Sequence, residues 1–178
     1  NDYCEASGIH MLAFSDAGFR ELTTNVPTKS VADLAGQKIR VMTNKYHIAY
    51  WNAIGASAVP MQFNELFMGL QQGTVDGQEN PYMNIVGNNL QEVQKYVVET
   101  NHVGHIIVFF MNNDLYQSLP DNTKALLDEC AAEAAEYAKG VASESIEQDK
   151  KTVEDAGLSI MGIESVNVSD DIKIGTEK

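Results

Sequence analysis

A chain of 178 residues suits one large or two small domains, and with 44% apolar and 8% aromatic residues it can bury a substantial core. Its formal charge of −13 argues against broad binding to nucleic acid or to an anionic membrane surface, because both need a positive field. No apolar run approaches the ~20 residues of a membrane-spanning helix, so direct membrane insertion is not expected.

In chain order, Cys4 comes first; it and Cys130 lack metal-like spacing and form either one disulfide or two buried thiols. Ile9 to Phe14 reads as a mostly buried strand, and Gly18 to Thr24 as a second strand separated from it by a polar break. Ser30 is placed to cap a short turn, Val31 to Leu34, and Lys38 to Met42 is a strand. A helix from about Tyr46 to Ile54 ends at Gly55. Ala58 to Met61 is a strand that its proline assigns to an edge. Asn64 is expected to cap a helix from Glu65 to Gln72, stopped by Gly73. Val75 to Glu79 is the next strand, Pro81 opens a helix to about Asn88, and Tyr96 to Glu99 is a strand. Strands and helices thus alternate from Lys38 to Glu99, which implies a largely parallel sheet covered by helices.

Ile106 to Met111 is continuously apolar, like a separate strand covered on both faces. Asn112 or Asn113 caps a short turn to Tyr116. From Leu119-Pro120-Asp121 a long helix runs to Ala156-Gly157, with an apolar stripe through Leu127, Cys130, Ala131, Ala134, Tyr137, Ala138 and Val141. Leu158 to Met161 is a last strand, followed by a polar tail.

The stretch Gly73 to Pro81 draws attention, because Gln78, Glu79 and Asn80 fall where a strand gives way to a helix, the position at which open α/β sheets bind ligands. The same three side chains also suit turn formation and helix capping. The chain has two arginines, Arg20 and Arg40, each inside an apolar-flanked strand. A guanidinium matches a carboxylate in a two-pronged way that lysine cannot. These arginines either bind an anion in a cleft or form structural salt bridges. His102 and His105 have metal-like spacing, but no third ligand is near in sequence, so no metal is expected. No nucleotide-binding loop or nucleophile elbow is present. Tyr46, Tyr50, Trp51 and Phe63 suit either a pocket wall or the core.

With these residues in view, the chain resembles the solute-binding proteins of TRAP transporters, of the dicarboxylate and sialate type. The likeness runs from about Met11 to Met161. It rests on Gly18-Phe19-Arg20; on Asp33-Leu34-Ala35-Gly36-Gln37-Lys38-Ile39-Arg40-Val41; on Pro60-Met61 and Phe63; on Leu70 through Pro81; and on Glu92 through Tyr96 followed by Thr100-Asn101-His102. The resemblance implies an α/β periplasmic-binding-protein-like clamshell that takes up an organic acid in the periplasm, its signal peptide removed, and delivers it to a membrane permease, with no cofactor and no catalysis. It implies that Arg40 makes the salt bridge to the ligand carboxylate and that Asn80 bonds the same group. Arg20 is then a second basic residue at the cleft, Phe63 an aromatic lining residue and Glu79 a polar neighbour. The rival reading is a small α/β enzyme acting on an anionic substrate, with Glu79 as general base.

Family members have about 300 residues, the size of a two-domain chain. The chain is therefore expected to be a fragment lacking the first ~100 residues of such a protein. Residues 17–104, completed by 157–163, would form the ligand-binding lobe. Residues 105–156, a strand and the long lobe-spanning helix, would belong partly to the truncated lobe, and 164–178 would be the polar tail. Alone, such a chain should expose apolar surface.

Overall fold

The computed structural model describes residues 2–163; the expected polar tail, 164–178, lies outside the described residues. In chain order the elements are α1 (Asp2–Ala6), β1 (Ile9–Thr24), a 3₁₀ turn (Val31–Leu34), β2 (Lys38–Val41), α2 (Lys45–Ala53), β3 (Ser57–Pro60), a 3₁₀ turn (Phe63–Glu65), α3 (Leu66–Gln71), β4 (Gly77–Asn80), α4 (Tyr82–Gly87), a 3₁₀ turn (Leu90–Glu92), β5 (Tyr96–Asn112), α5 (Asn113–Ser118), α6 (Asp121–Asp155) and β6 (Ser159–Gly162). The described residues divide into two compact units, one of 2–19 with 103–147, the other of 20–102 with 148–163.

The larger unit holds a sheet in the order β3-β2-β4-β1-β5-β6. Strand β2 pairs parallel with β3 and β4, and β5 pairs parallel with β6, as the alternation of elements predicts. Strand β1 runs antiparallel to β4, with Thr23 opposite Gln78 and Glu21 opposite Asn80. The proline of β3 sits at the sheet edge, where its missing N–H leaves no ladder bond unmade. Successive side chains of a strand face opposite sides. Ile39 and Val41 of β2 therefore enter one core with Leu22, Leu34, Trp51, Ala56 and Val98, while Arg40 between them turns to the other face.

Local signals set the ends of the elements. The Asp33 carboxylate accepts from the backbone N–H groups of Lys29 and Ser30, both at 2.9 Å, and so closes the first 3₁₀ turn. The Asn44 side chain accepts from Tyr46 N and starts α2, and Gly55, at φ +92°, ends it. Gly73, at φ +69°, ends α3. Asn64 does not cap α3: it lies within the preceding 3₁₀ turn, and the residue before the helix is Glu65, whose side chain makes no capping bond.

Two expected breaks are absent. Ile9 to Thr24 is one strand of 16 residues. The polar stretch in its middle is accommodated by Gly18 at φ +79°, whose N–H donates to the Asp16 carboxylate at 2.8 Å. Likewise Tyr96 to Asn112 is one strand of 17 residues. Along its second half burial alternates, with Ile106, Val108 and Phe110 facing out at 63%, 39% and 61% exposure, so the described residues cover that stretch on one face and not on two.

In the smaller unit His10 stacks on Tyr116 with ring centroids 3.4 Å apart, and Ser15 Oγ donates to the Ala135 carbonyl of α6 at 2.9 Å. The buried side of α6 is Ala131, Ala135 and Ala142. Tyr137 and Val141, expected on the apolar stripe, are exposed, as is Cys130. The helix carries apolar residues on more than one side, and the described residues cover one of them. Cys4 is half-buried, and the two thiols are free. The last turns of α6 belong to the larger unit, where Val153 is fully buried and Lys150 pairs with Glu99 at 2.7 Å.

Gly77 opens β4 where β1 and β2 close on it: a Cβ there would lie 2.4 Å from the Thr23 carbonyl oxygen and 3.2 Å from Ile39 Cδ1. A Cβ on Gly73 would meet nothing within 4 Å, so its replacement carries only backbone strain. Gly77→Ala is expected to cost about 1–3 kcal/mol or more by overpacking. Gly73→Ala should cost about 1–2 kcal/mol from its left-handed backbone alone. Chemical denaturation of the two variants measures the difference, and a Gly77 cost at or below that of Gly73 would contradict the packing argument.

Candidate functional site

The carboxyl ends of β2 and β4 and the neighbouring part of β1 bring the polar residues of the sequence together. Register places Arg40 beside Gln78 on the parallel side of β4, and Thr23 beside Gln78 on the antiparallel side. Thr23, Arg40, Gln78 and Asn80 therefore share one face of the sheet, and Glu79 takes the other, toward the core.

Arg20 and Glu79 form a buried pair, 2% and 0% exposed. Arg20 Nε donates to Glu79 Oε2 at 2.5 Å. Its Nη2 donates to Glu79 Oε1 and to Asn80 Oδ1, each at 3.0 Å. His102 Nε2 lies 3.1 Å from Glu79 Oε2. An ionised carboxylate only accepts, so this nitrogen carries the hydrogen, and Nδ1 of the ring lies at hydrogen-bond distance, 2.8 Å, from Thr100 Oγ1. His47 Nδ1 stands 3.5 Å from Glu79 Oε1, at ion-pair distance and without a hydrogen bond. Burial by itself would raise the Glu79 carboxyl. The bond from His102, the nearness of His47 and the bonds and charge of Arg20 outweigh it and hold the group well below the usual carboxylate range.

Helix α2 supports this arrangement from one side. Tyr50 stacks on the His102 ring at 5.5 Å between centroids, and Trp51 meets it edge-on at 5.1 Å. Trp51 is fully buried and Tyr50 packs on the same core, whereas Tyr46 is exposed. Of the four aromatic candidates, two thus brace the site from within.

Arg40 is in a different state. It is 3% exposed, its Nε donates to the Met61 carbonyl at 2.9 Å, and its guanidinium carbon lies 5.5 Å from the centre of the Phe63 ring. Among the described residues no carboxylate forms an ion pair with it. Burial pulls its pKa down, with the more distant charge of Glu79 opposing and that of Arg20 adding to the effect. The group thus holds two guanidinium charges against one carboxylate, all nine-tenths or more buried, and a buried cation without a partner is costly. A carboxylate-bearing molecule is the chemistry that would balance it. Phe63 is 41% exposed and also lines a cavity of about 540 Å³.

The five candidates from sequence therefore do gather, but into two subgroups. Arg20, Glu79 and Asn80 bond to one another, while Arg40 and Phe63 stand beside them. Sequence reading missed His102 and His47 as neighbours of Glu79, and Thr100 as the partner of His102. The available signal is that an acid buried at a strand end needs several donors. Among the described residues no cluster of three or more His, Cys, Asp or Glu is placed to hold a metal ion, and no helix is long and apolar enough to cross a membrane.

Residues 1–170 match the model of the bacterial extracellular solute-binding protein family 7. The C4-dicarboxylate-binding periplasmic protein of Rhodobacter capsulatus is 37% identical over 157 residues, which cover 87% of this chain and 46% of that protein. Among solved structures, a TRAP periplasmic solute-binding protein from Roseobacter denitrificans with bound L-galactonate aligns with a TM-score of 0.84 at 36% identity, over 89% of this chain and 53% of its own. One from Shewanella oneidensis with bound succinate aligns at 0.85 and 30% identity, over 90% and 53%. The chain spans about half the length of the curated relatives it matches. These alignments agree with the α/β fold expected from the resemblance, as part of a periplasmic-binding-protein fold. The chain belongs to the family 7 bacterial extracellular solute-binding proteins.

Proposed function

We propose that this chain carries the carboxylate-holding half of a periplasmic TRAP-type solute-binding protein, which captures an organic acid and hands it to a membrane permease. The carrying observation is Arg40, a buried guanidinium with no carboxylate partner among the described residues. A ligand carboxylate supplies the missing charge through the guanidinium's paired donors. Asn80 bonds the same carboxylate, Phe63 packs against the ligand body, and Arg20 with Glu79 fixes Asn80 from below. The bound acids of the solved relatives, L-galactonate and succinate, are of the class that this chemistry would take. The remainder of the full-length protein would meet the far end of the ligand and set its length and hydroxyl pattern. A general-base role for Glu79 is disfavoured: the carboxylate is fully buried, already accepts from Arg20 and His102, and is a weak base.

In the full-length protein, calorimetry with a panel of small carboxylic acids tests the reading. Arg40→Ala should lose about 2–5 kcal/mol of binding free energy, enough to abolish measurable uptake; unchanged affinity would remove Arg40 from the site. The two arginines should also differ in the unliganded protein. Arg40→Met removes an uncompensated buried cation and should leave the melting temperature unchanged or raised. Arg20→Met strands Glu79 and should cost about 3–5 kcal/mol. Equal losses in thermal denaturation would refute this division of roles.

The depressed carboxyl of Glu79 sets the sign of a pH effect. A group held below its ordinary value of 4.5 stabilises the fold above that pH, and the contribution fades as pH falls toward the lower folded value. Glu79→Gln should therefore be less stable than the parent at pH 7, with the gap closing below pH 4.5. A gap that stays constant down to about pH 3 would mean that Glu79 is not held as an anion.

A further inference from the structure

We propose that Gln78, Thr23 and Gln94 are positioning residues for the ligand site, a buried one-directional chain of hydrogen bonds that turns the Asn80 amide nitrogen, and not its oxygen, toward the ligand. This rests on the reading above that Asn80 meets the ligand carboxylate.

Four links make the chain. Asn80 Nδ2 donates to Gln78 Oε1 at 2.5 Å, and Gln78 Nε2 donates to Thr23 Oγ1 at 2.9 Å. Thr23 Oγ1 donates to Gln94 Oε1 at 2.9 Å, and Gln94 Nε2 donates to the Val93 carbonyl at 3.1 Å. All four side chains belong to buried residues, none more than 5% exposed. Strand register builds the row: Thr23 is opposite Gln78, and Asn80, two residues on, faces the same side.

An amide or a hydroxyl taken alone could point either way, but the two ends of this chain cannot. Arg20 can only donate, so Asn80 must offer it oxygen; the bond is 3.0 Å, and Asn84 Nδ2 donates to the same oxygen at 3.3 Å. A backbone carbonyl can only accept, so Gln94 must offer nitrogen. Each member between then has one orientation that satisfies both neighbours. Turning any one of them would set oxygen against oxygen, or hydrogen against hydrogen, in an interior where unmet polar groups are costly. The Asn80 amide nitrogen has two hydrogens, and Gln78 takes one. The other has no acceptor among the described residues. A ligand carboxylate accepts that hydrogen; a flipped Asn80 would meet it with oxygen. The chain thus converts the polarity of a backbone carbonyl into a preference for an acceptor group on the ligand.

The test uses the full-length protein with Thr23→Val, which keeps shape but removes the hydroxyl, and Thr23→Ser, which restores it. Side-chain amide NMR reads the unliganded state, with the Asn80 pair identified by its loss in Asn80→Asp. Calorimetry with succinate and L-galactonate reads binding. In the parent and in Thr23→Ser, one of the two Asn80 hydrogens should be protected from exchange and the acids should bind alike. In Thr23→Val that asymmetry should fade, and affinity should fall by about tenfold, the scale of one lost hydrogen bond. Unchanged Asn80 signals and affinity in Thr23→Val, or equal losses in both variants, would overturn the proposal. Should Thr23→Val fail to fold, Gln94→Met breaks the chain at its outer end. The same changes, smaller in size, are expected there, and parental signals and affinity would again overturn it. If neither acid binds the parent protein, the reading of the site fails separately, and the Asn80 signals still decide the chain.

Discussion

The pair between Arg20 and Glu79 is the constraint on which the rest of the site depends. Both groups are nearly or fully out of water, where an ion pair is tolerable only if its remaining donors and acceptors are met. They are met from two strands and a helix. Glu79 draws in His102 from β5 and lies at ion-pair distance from His47 of α2, and Arg20 spends a further donor on Asn80. One anion is thereby shared among several donors, and among the described residues no carboxylate is left over to neutralise Arg40.

That asymmetry separates two chemically identical residues. Arg20 is a structural cation whose charge is spoken for. Arg40 is held by one backbone carbonyl and one aromatic face, neither of which cancels a charge. The cost of keeping Arg40 buried is met by the core around it. Ile39 and Val41, its neighbours on β2, are fully buried on the opposite face, so the strand cannot turn its arginine out without turning them out as well. Binding energy for an anion is in this sense prepaid by hydrophobic packing.

Much of the site could be read before the fold was known. The expected elements from Lys38 to Asn88 are nearly all present, because each is bounded by a residue with a specific backbone reason: Asn44 and Gly55 around α2, Gly73 after α3, Pro81 before α4. Errors arose where the local signal was about something else. Ser15 to Gly18 looked like a turn, but a single left-handed glycine lets the strand continue through it. Ile106 to Met111 looked doubly covered from its apolarity, but the described residues cover one face. Asn64 is a good capping residue that falls inside a 3₁₀ turn, one residue too early to cap the helix.

The sequence by itself determined which residues can do the chemistry. Two arginines alternating with apolar neighbours, and an amide and an acid at the end of a strand, have no other carboxylate-matching groups among them. The family resemblance implied that Arg40 makes the salt bridge to a ligand carboxylate, with Arg20 as a second basic residue at the cleft. Only the tertiary structure decided who holds whom. The antiparallel insertion of β1 beside β4 carries Arg20 to Glu79 across 59 residues of sequence. The long strand β5 delivers His102 to the same carboxylate. Periodicity records which face a side chain takes, but the pairing of distant strands is set by the whole sheet. It is that pairing which gives one guanidinium a carboxylate and leaves the other without one among the described residues.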